Sequence, residues 1–149
     1  MRQFVCPHCG TANRTPDDRD PRSANCGRCG KALFEARPIE VNAVELDLHR
    51  RGTKEAGVLV DVWAPWCGPC RSMAPQFAAA AARLEPKIRL LKLNSDENQA
   101  AAAALGVSGI PALILFWEGQ VVAHQAGAMT ASQIEAWVRP HLPADAASV

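Results

Sequence analysis

The sequence lacks the features that would assign the chain to a membrane or to the export pathway. No apolar run approaches the roughly 20 residues that a membrane-spanning helix needs. Residues 1–6 contain no apolar signal-peptide core and lead straight into cysteines. We therefore expect a cytoplasmic protein in a reducing compartment, with no membrane partner.

A strong charge of either sign is also missing, since the net charge is +1 at pH 7. Residues 1–38 carry seven Arg and Lys against four Asp and Glu, and residues 39–149 carry nine against eleven. A zinc ion held by four thiolates in the first part would reduce its positive charge to about +1. No basic surface remains for nucleic acid, so we expect no such partner.

Six cysteines, arranged as three Cys-x-x-Cys pairs, are the most informative part of the sequence. The 149 residues are enough for one ordinary domain and a small appendage. In a chain without an export signal, paired cysteines favour metal binding or redox chemistry over structural disulfides.

The first two pairs repeat one motif, in which a glycine follows the second cysteine and sixteen residues separate the pairs. This spacing predicts a closed tetrahedral zinc site of structural type. Two disulfides or free thiols are the alternatives. His8 is expected to face solvent because four thiols already complete the tetrahedron. The polar residues between the pairs indicate a loop without a core, so the metal would hold the segment together. The predicted ligands are Cys6, Cys9, Cys26 and Cys29.

The third pair, Cys67 and Cys70, lies between a predicted buried strand (58–62) and a predicted helix (72–84). The free N–H groups and the positive dipole end of the helix stabilise a thiolate at the first sulfur. Cys67 is therefore the expected exposed nucleophile, and Cys70, one turn further on, the more buried resolving thiol. Half of a metal site is the alternative, but no knuckle glycine follows this pair.

The other elements follow from caps, turns and apolar patterning. Asn42 and Thr130 open predicted helices with capping boxes, and Gly119 marks a hairpin turn. This order predicts an α/β protein with one central mixed sheet flanked by helices. The predicted ranges are a helix at 42–52, a strand at 88–93, a helix at 95–105, and hairpin strands at 112–117 and 121–125.

Two charged residues interrupt apolar strands. Asp61 lies within the 58–62 strand, where burial would raise its pKa and fit it to act as a general base. An unusual exposed edge position is the alternative. Lys92 interrupts the strand at 88–93, and on general grounds it is equally consistent with a charge at a strand edge.

The segment Trp63-Ala-Pro-Trp-Cys-Gly-Pro-Cys-Arg71 resembles the active-site segment of the thioredoxin family, and the resemblance extends from about residue 38 to residue 142. It implies the thioredoxin fold and protein-disulfide reductase activity through a mixed disulfide. It also implies disulfide-containing client proteins and re-reduction by an NADPH-dependent thioredoxin reductase. The N-terminal cysteines resemble the zinc-containing thioredoxin 2 branch. The expected division is 1–37 as the zinc segment, 38–142 as the thioredoxin domain and 143–149 as a flexible tail.

The resemblance also implies residue roles. Asp61 matches the buried acid behind the resolving cysteine, and Lys92 its lysine partner. Pro111 is expected after a cis bond, whereas the sequence alone predicts trans. Ser108 departs from the family pattern and leaves the partner preference open. The implied substrate surface, whose members could individually be ordinary core or turn residues, comprises Trp66, Gly68, Pro69, Ile110, Pro111 and Gly127.

A second hypothesis makes the zinc segment the working part. Its four thiolates would sense an oxidant, release zinc and expose an apolar surface, as in a redox-responsive binding or holdase module. The paired thiols and the arginine-rich loop support this hypothesis.

Overall fold

The computed structural model describes residues 1–143, in which a small two-stranded sheet precedes a five-stranded one. In the small sheet, β1 (Arg2–Val5) pairs antiparallel with β2 (Ala12–Thr15). The two cysteine pairs of this segment follow β1 and β2 respectively in the chain. No helix within residues 1–143 has the length and apolar character needed to cross a membrane.

The five-stranded sheet has the spatial order β3-β5-β4-β6-β7. β3 and β4 both pair parallel with β5, whereas β6 pairs antiparallel with β4 and β7. This is the mixed α/β sheet that the sequence predicts. The strands are β3 (Ile39–Val41), β4 (Gly57–Trp63), β5 (Ile88–Asn94), β6 (Ala112–Trp117) and β7 (Gln120–Ala126).

Helix starts agree with the predicted capping signals. Asn42 and Thr130 each cap a helix through a complete capping box, formed with Glu45 and Gln133. Gly119 has a positive φ in the hairpin turn. The helices are α1 (Ala43–Gly52), α2 (Gly68–Leu84), α3 (Gln99–Ala104) and α4 (Ala131–Val138), with short 3-10 helices at Pro21–Ser23 and Arg139–His141.

Alternating strand residues divide the core between the two faces of the sheet. Leu59, Leu90 and Leu113 pack with Phe77 of α2 and Ile134 of α4. Their strand neighbours form the second cluster, which contains Leu46 of α1 and Ala102 of α3. Each residue position on a strand is therefore assigned to the α2/α4 face or to the α1/α3 face.

Two details differ from the sequence prediction, and one prediction falls outside the described residues. The strands β1, β2 and β3 were not predicted, because each has only three or four residues and its stability depends on a distant partner. Helix α3 is shorter than the predicted 95–105, since turns occupy the residues before Gln99. The predicted flexible tail at 143–149 lies, apart from Pro143, outside the described residues.

The N-terminal segment also has a small core, which the sequence analysis did not expect. The rings of Phe4 and Phe34 meet edge to face at 4.8 Å, and buried Leu33 and Ala56 join the same cluster. Arg89, at the start of β5, is fully buried, donates to Leu33 O at 2.6 Å and stacks over Phe34 at 4.1 Å. The segment is thus packed onto the large sheet and is not a separate arm.

Candidate active site and metal centre

The third cysteine pair lies where β4 ends and α2 begins. Cys67 is the N-cap of α2, and its Sγ accepts a hydrogen bond from Cys70 N at 3.2 Å. The two residues form a disulfide, with their Cα atoms 5.2 Å apart. A sulfur that accepts a helix N-terminal N–H is stabilised as a thiolate once the disulfide is reduced.

A second loop packs against this pair. The Ile110–Pro111 peptide bond is cis, as the resemblance implies. Ile110 packs against the cluster formed by Ala64 and the two cysteines, and its carbonyl oxygen lies 3.8 Å from Cys67 Sγ. Gly127, at a φ of 103°, donates its N–H to Pro111 O at 2.9 Å. The structure thus brings Ile110, Pro111 and Gly127 together beside the disulfide.

Trp66 is the most exposed aromatic side chain near the site, with 67% of its surface accessible. Its indole N–H donates to Asp96 at 2.9 Å, which holds the ring over the turn that follows β5. Sequence reasoning missed Asp96, because nothing in a polar turn marks it as the partner of a residue 30 positions away. Gly68 and Pro69 form the first turn of α2, where Pro is favoured.

The sulfur atoms are less accessible than expected. Cys67 is 5% exposed and Cys70 is 2% exposed in the disulfide form. The order of exposure agrees with the prediction, but Cys67 is not a freely exposed group in this form. Ala64, Trp63 and Ile110 pack around the pair and account for its burial.

Asp61 is completely buried on β4, and neither carboxylate oxygen has a hydrogen-bond partner within residues 1–143. Burial raises its pKa to about 7, with Lys92 opposing and Glu40 reinforcing the increase. Asp61 pairs in register with Lys92 of β5, but the Lys92 Nζ lies over the Trp63 ring at 4.6 Å and makes no salt bridge with Asp61. Asp61 and Lys92 therefore occupy adjacent positions on neighbouring strands and interact electrostatically without a salt bridge.

Glu40 is a charged neighbour that the sequence analysis missed. It pairs in register with Lys92 from the other side, on edge strand β3. Partial desolvation at the sheet edge raises the pKa of Glu40 although the residue is exposed, while Lys92 and Trp63 lower this pKa and Glu97 raises it further. The only sequence signal was the pair of β-branched residues Ile39 and Val41, directly before the Asn42 helix cap.

The four N-terminal cysteines come together in the segment that packs on Ala56, the residue before β4. Their Sγ atoms all lie within 4.8 Å of one another, and the cross-pair distances Cys6–Cys29 and Cys9–Cys26 are both 3.6 Å. A tetrahedral zinc ion with Zn–S bonds of about 2.3 Å places its sulfurs about 3.8 Å apart. The four thiols therefore fit a metal ion of this type.

The two cysteine knuckles have matching backbone geometry. Gly10 and Gly30 have φ values of 80° and 79°, and each donates its N–H to the carbonyl of the first cysteine of its pair. His8 N and Arg28 N lie 3.4 Å from the sulfurs of Cys6 and Cys26. The predicted glycine-dependent wrapping of N–H groups toward sulfur is confirmed.

Individual thiols in this cluster differ in environment. N–H groups of Cys29 and Arg28, with the Asn13 amide, lower the pKa of Cys26 to about 6. Burial raises the pKa of Cys6 to about 11. His8 is paired with Glu35 at 2.8 Å and is not one of the clustered ligands, as expected.

The two sites are built from different parts of the chain around β4, since Cys6 and Cys26 pack with Ala56, the residue before that strand. The N-terminal segment contacts residues that precede β4, through the Gln3–Lys54 backbone pair, whereas Cys67 follows the end of β4. The seven residues of β4 correspond to about 20 Å of extended chain. Each site is therefore built from its own side chains.

Comparison with known proteins identifies this arrangement. The family described as "Thioredoxin" matches residues 43–140. Thioredoxin C-3 of Corynebacterium nephridii is 36% identical over 139 residues, covering 93% of this chain and 94% of that protein. The thioredoxin of Pseudomonas aeruginosa is 42% identical over 99 residues, covering 66% and 92%. The chain belongs to the thioredoxin family and is a thiol–disulfide oxidoreductase.

The remaining part of the chain has its own match. Residues 5–31 match the family described as "Thioredoxin 2, N-terminal", a zinc-ribbon segment. Among solved structures, a single-residue mutant of the thioredoxin from Halobacterium salinarum NRC-1 is similar with a TM-score of 0.65 and 31% identity, covering 72% of this chain and 93% of that one. The chain therefore joins a zinc-ribbon segment to a thioredoxin domain.

Proposed function

We propose that the protein reduces disulfides in other proteins through its Cys67–Cys70 dithiol. The Cys67 thiolate attacks one sulfur of a client disulfide, so that a mixed disulfide forms and a client thiolate leaves. Cys70 then transfers its proton to Asp61 and attacks Cys67 Sγ. This step forms the Cys67–Cys70 disulfide and releases the second client thiolate, and the dithiol has supplied two electrons.

The observation that carries this proposal is the position of the disulfide at the N-terminus of α2, where an N–H group is directed at Cys67. The helix end stabilises the attacking or leaving thiolate of Cys67 over that of Cys70. The Asp61 side chain is directed to the α2/α4 face of the sheet, as that of Leu59 is, and Cys70 belongs to α2, which supports Asp61 as the base. Lys92 would hold positive charge near the ionised acid.

The client chain would bind where the cis Ile110–Pro111 bond leaves a backbone edge beside the cysteines. Trp66, with the turn at Gly127, would supply an apolar surface for an extended segment. Gly68 and Pro69 would keep the approach to Cys67 free of large side chains. A thioredoxin reductase that uses NADPH would regenerate the dithiol, and a cytoplasmic location fits this electron source.

The test is insulin-disulfide reduction in dithiothreitol, followed by turbidity. The wild-type protein should accelerate the reaction, Cys67→Ser should abolish the acceleration, and Cys70→Ser should accumulate a covalent mixed disulfide visible on non-reducing gels. Ser72→Ala, an exposed position on the same helix, is the matched control and should behave as wild type. A full rate with Cys67→Ser would refute the proposal.

For the N-terminal segment we infer one structural zinc ion held by Cys6, Cys9, Cys26 and Cys29. Four ligands close the coordination sphere and leave no position for water or substrate. We propose that residues 1–37 form the zinc-binding segment and residues 38–142 the thioredoxin domain. The ion would hold the knuckles together, while the Phe4–Phe34 contact packs them on the sheet.

One observation favours the second function, a redox-responsive binding module, since Cys9 and Cys29 are exposed. Oxidants could reach these two sulfurs before the buried Cys6 and Cys26. Binding of unfolded protein that appears only after peroxide releases zinc would support this function over a purely structural ion.

A further inference from the structure

Three charged side chains lie side by side across three strands of the large sheet. Lys92 of β5 pairs in register with Asp61 of β4 on one side and with Glu40 of β3 on the other. Neighbouring strands lie about 4.8 Å apart, so the two acids are separated by about two strand spacings, with the lysine between them.

All three residues occupy the same face of the sheet. Asp61 and Lys92 each lie two positions after a residue of the α2/α4 cluster, Leu59 on β4 and Leu90 on β5. Their immediate neighbours in the chain belong to the α1/α3 cluster on the other face. Glu40 lies between Ile39 and Val41, which both pack in the α1/α3 cluster. Their side chains therefore leave the sheet toward the face that α2 covers, where Cys70 is buried.

The two acids have unequal access to solvent. Asp61 is fully buried with both oxygens unpartnered in the described part of the chain, whereas Glu40 lies on the edge strand and is exposed. The Lys92 ammonium is held over the Trp63 ring and is not in contact with the Asp61 carboxylate. The Trp63 side chain also lowers the pKa of Glu40. Its indole N–H makes no hydrogen bond of regular geometry with any residue from 1 to 143.

We propose that Glu40 is a positioning residue for Asp61: by sharing the Lys92 ammonium, it limits the positive charge that reaches the buried carboxylate and so sets the pH at which Asp61 releases its proton. Ionised Glu40 attracts the lysine and repels a second negative charge, and both effects favour the protonated form of Asp61. The consequence for disulfide exchange rests on the proposed role of Asp61 as the base for Cys70.

Few other charges compete for this role. Burial raises the pKa of Asp61, and among residues 1–143 the charges that act on it are those of Lys92 and Glu40. From β6, the residue in register with Asp61 is Leu113, which is apolar. From α2, the group that titrates after reduction is Cys70. Glu97, in the turn before α3, acts on Glu40.

The test follows the side-chain carboxyl carbon of Asp61 by NMR during a pH titration of the oxidised protein. Glu40→Gln keeps the shape and removes the charge, and it should lower the midpoint of the Asp61 titration by about half a pH unit or more. Glu40→Asp should restore most of the wild-type midpoint. Asp47→Asn, at an exposed position on α1, is the matched control and should leave the midpoint unchanged. An unchanged midpoint in Glu40→Gln would overturn the proposal.

A double-mutant cycle tests whether Lys92 carries the effect. In a Lys92→Gln background, Glu40→Gln should shift the Asp61 midpoint less than it does in wild type. An equal shift in both backgrounds would show direct repulsion and contradict the sharing of the ammonium.

The pH profile of insulin reduction separates this proposal from the proposed function. The rising limb of the rate should move to lower pH in Glu40→Gln, together with the NMR midpoint. Movement of the midpoint alone would support Glu40 as the group that sets Asp61 but contradict Asp61 as the base for Cys70. The NMR measurement uses the disulfide form, so it does not depend on turnover.

Discussion

Replacement of Asp61 by asparagine should change how stability depends on pH. The buried acid has its pKa raised from 3.8 to about 7 in the folded protein. In the unfolded chain it ionises near pH 4, while in the folded protein it stays protonated up to about pH 7. The contribution of Asp61 to the free energy of unfolding is therefore fully favourable below pH 4 and is lost as pH rises toward and through 7.

The size of this loss follows from the two pKa values. Above pH 7 the buried ionised acid costs about 4 kcal/mol relative to low pH, since each pKa unit corresponds to about 1.4 kcal/mol. About 2 to 3 kcal/mol of this cost develops between pH 5 and pH 8. Asp61→Asn has no proton to lose, so its stability relative to wild type should increase by that amount over the same interval.

The measurement is urea unfolding of the oxidised, zinc-loaded protein at pH 5 and pH 8, followed by tryptophan fluorescence. Burial also raises the pKa of Glu85 to about 7 and lowers the pKa of His49 to about 3. Both groups are present in both proteins, so their effects cancel in the comparison. Asp47→Asn, at an exposed position on α1, is the control and should follow wild type. Parallel pH curves for wild type and Asp61→Asn would refute the reasoning.

Two predictions concern the N-terminal segment. Removal of zinc by a chelator should lower the melting temperature and increase hydrogen exchange within residues 1–37, because the metal supplies folding energy to a segment with a small core. Insulin reduction at 25 °C should largely persist. Loss of this activity would contradict the separation of the two sites. Gly52→Ala should destabilise the protein by about 1–3 kcal/mol, since an added Cβ would overlap Val5 Cγ2. The control is Gly109→Ala, where a Cβ meets no atom of the described residues within 4 Å, and equal losses in the two variants would contradict this packing argument.

Much of the site could be predicted because its signals are local in the chain. The cysteine at a helix start, the capping boxes of Asn42 and Thr130, and the glycine of the hairpin turn all act over a few residues. Each depends on hydrogen bonds or backbone angles that neighbouring residues supply. The structure confirms these elements with small changes in their ends.

Other features could not be predicted because they depend on residues distant in the chain. Strand β3 has three residues, too few for an alternating pattern to identify it, and its partner β5 lies about fifty positions away. Since β3 was not predicted, the position of Glu40 beside Lys92 was not predicted either. Asp96 became a partner of Trp66 only when two loops met at one end of the sheet.

By itself, the sequence determined the chemistry of this protein: three cysteine pairs, one at a helix start and two in glycine-bounded knuckles, and an acid within an apolar strand. Only the tertiary structure decided the environments that tune these groups. It left Asp61 without a hydrogen bond from any described residue, set Lys92 between two carboxylates, and packed Cys6 and Cys26 with Ala56 before β4 while Cys67 follows the end of that strand. The physical reason is that sulfur and carboxyl chemistry belongs to single residues, whereas desolvation and charge–charge interaction depend on which distant segments pack together.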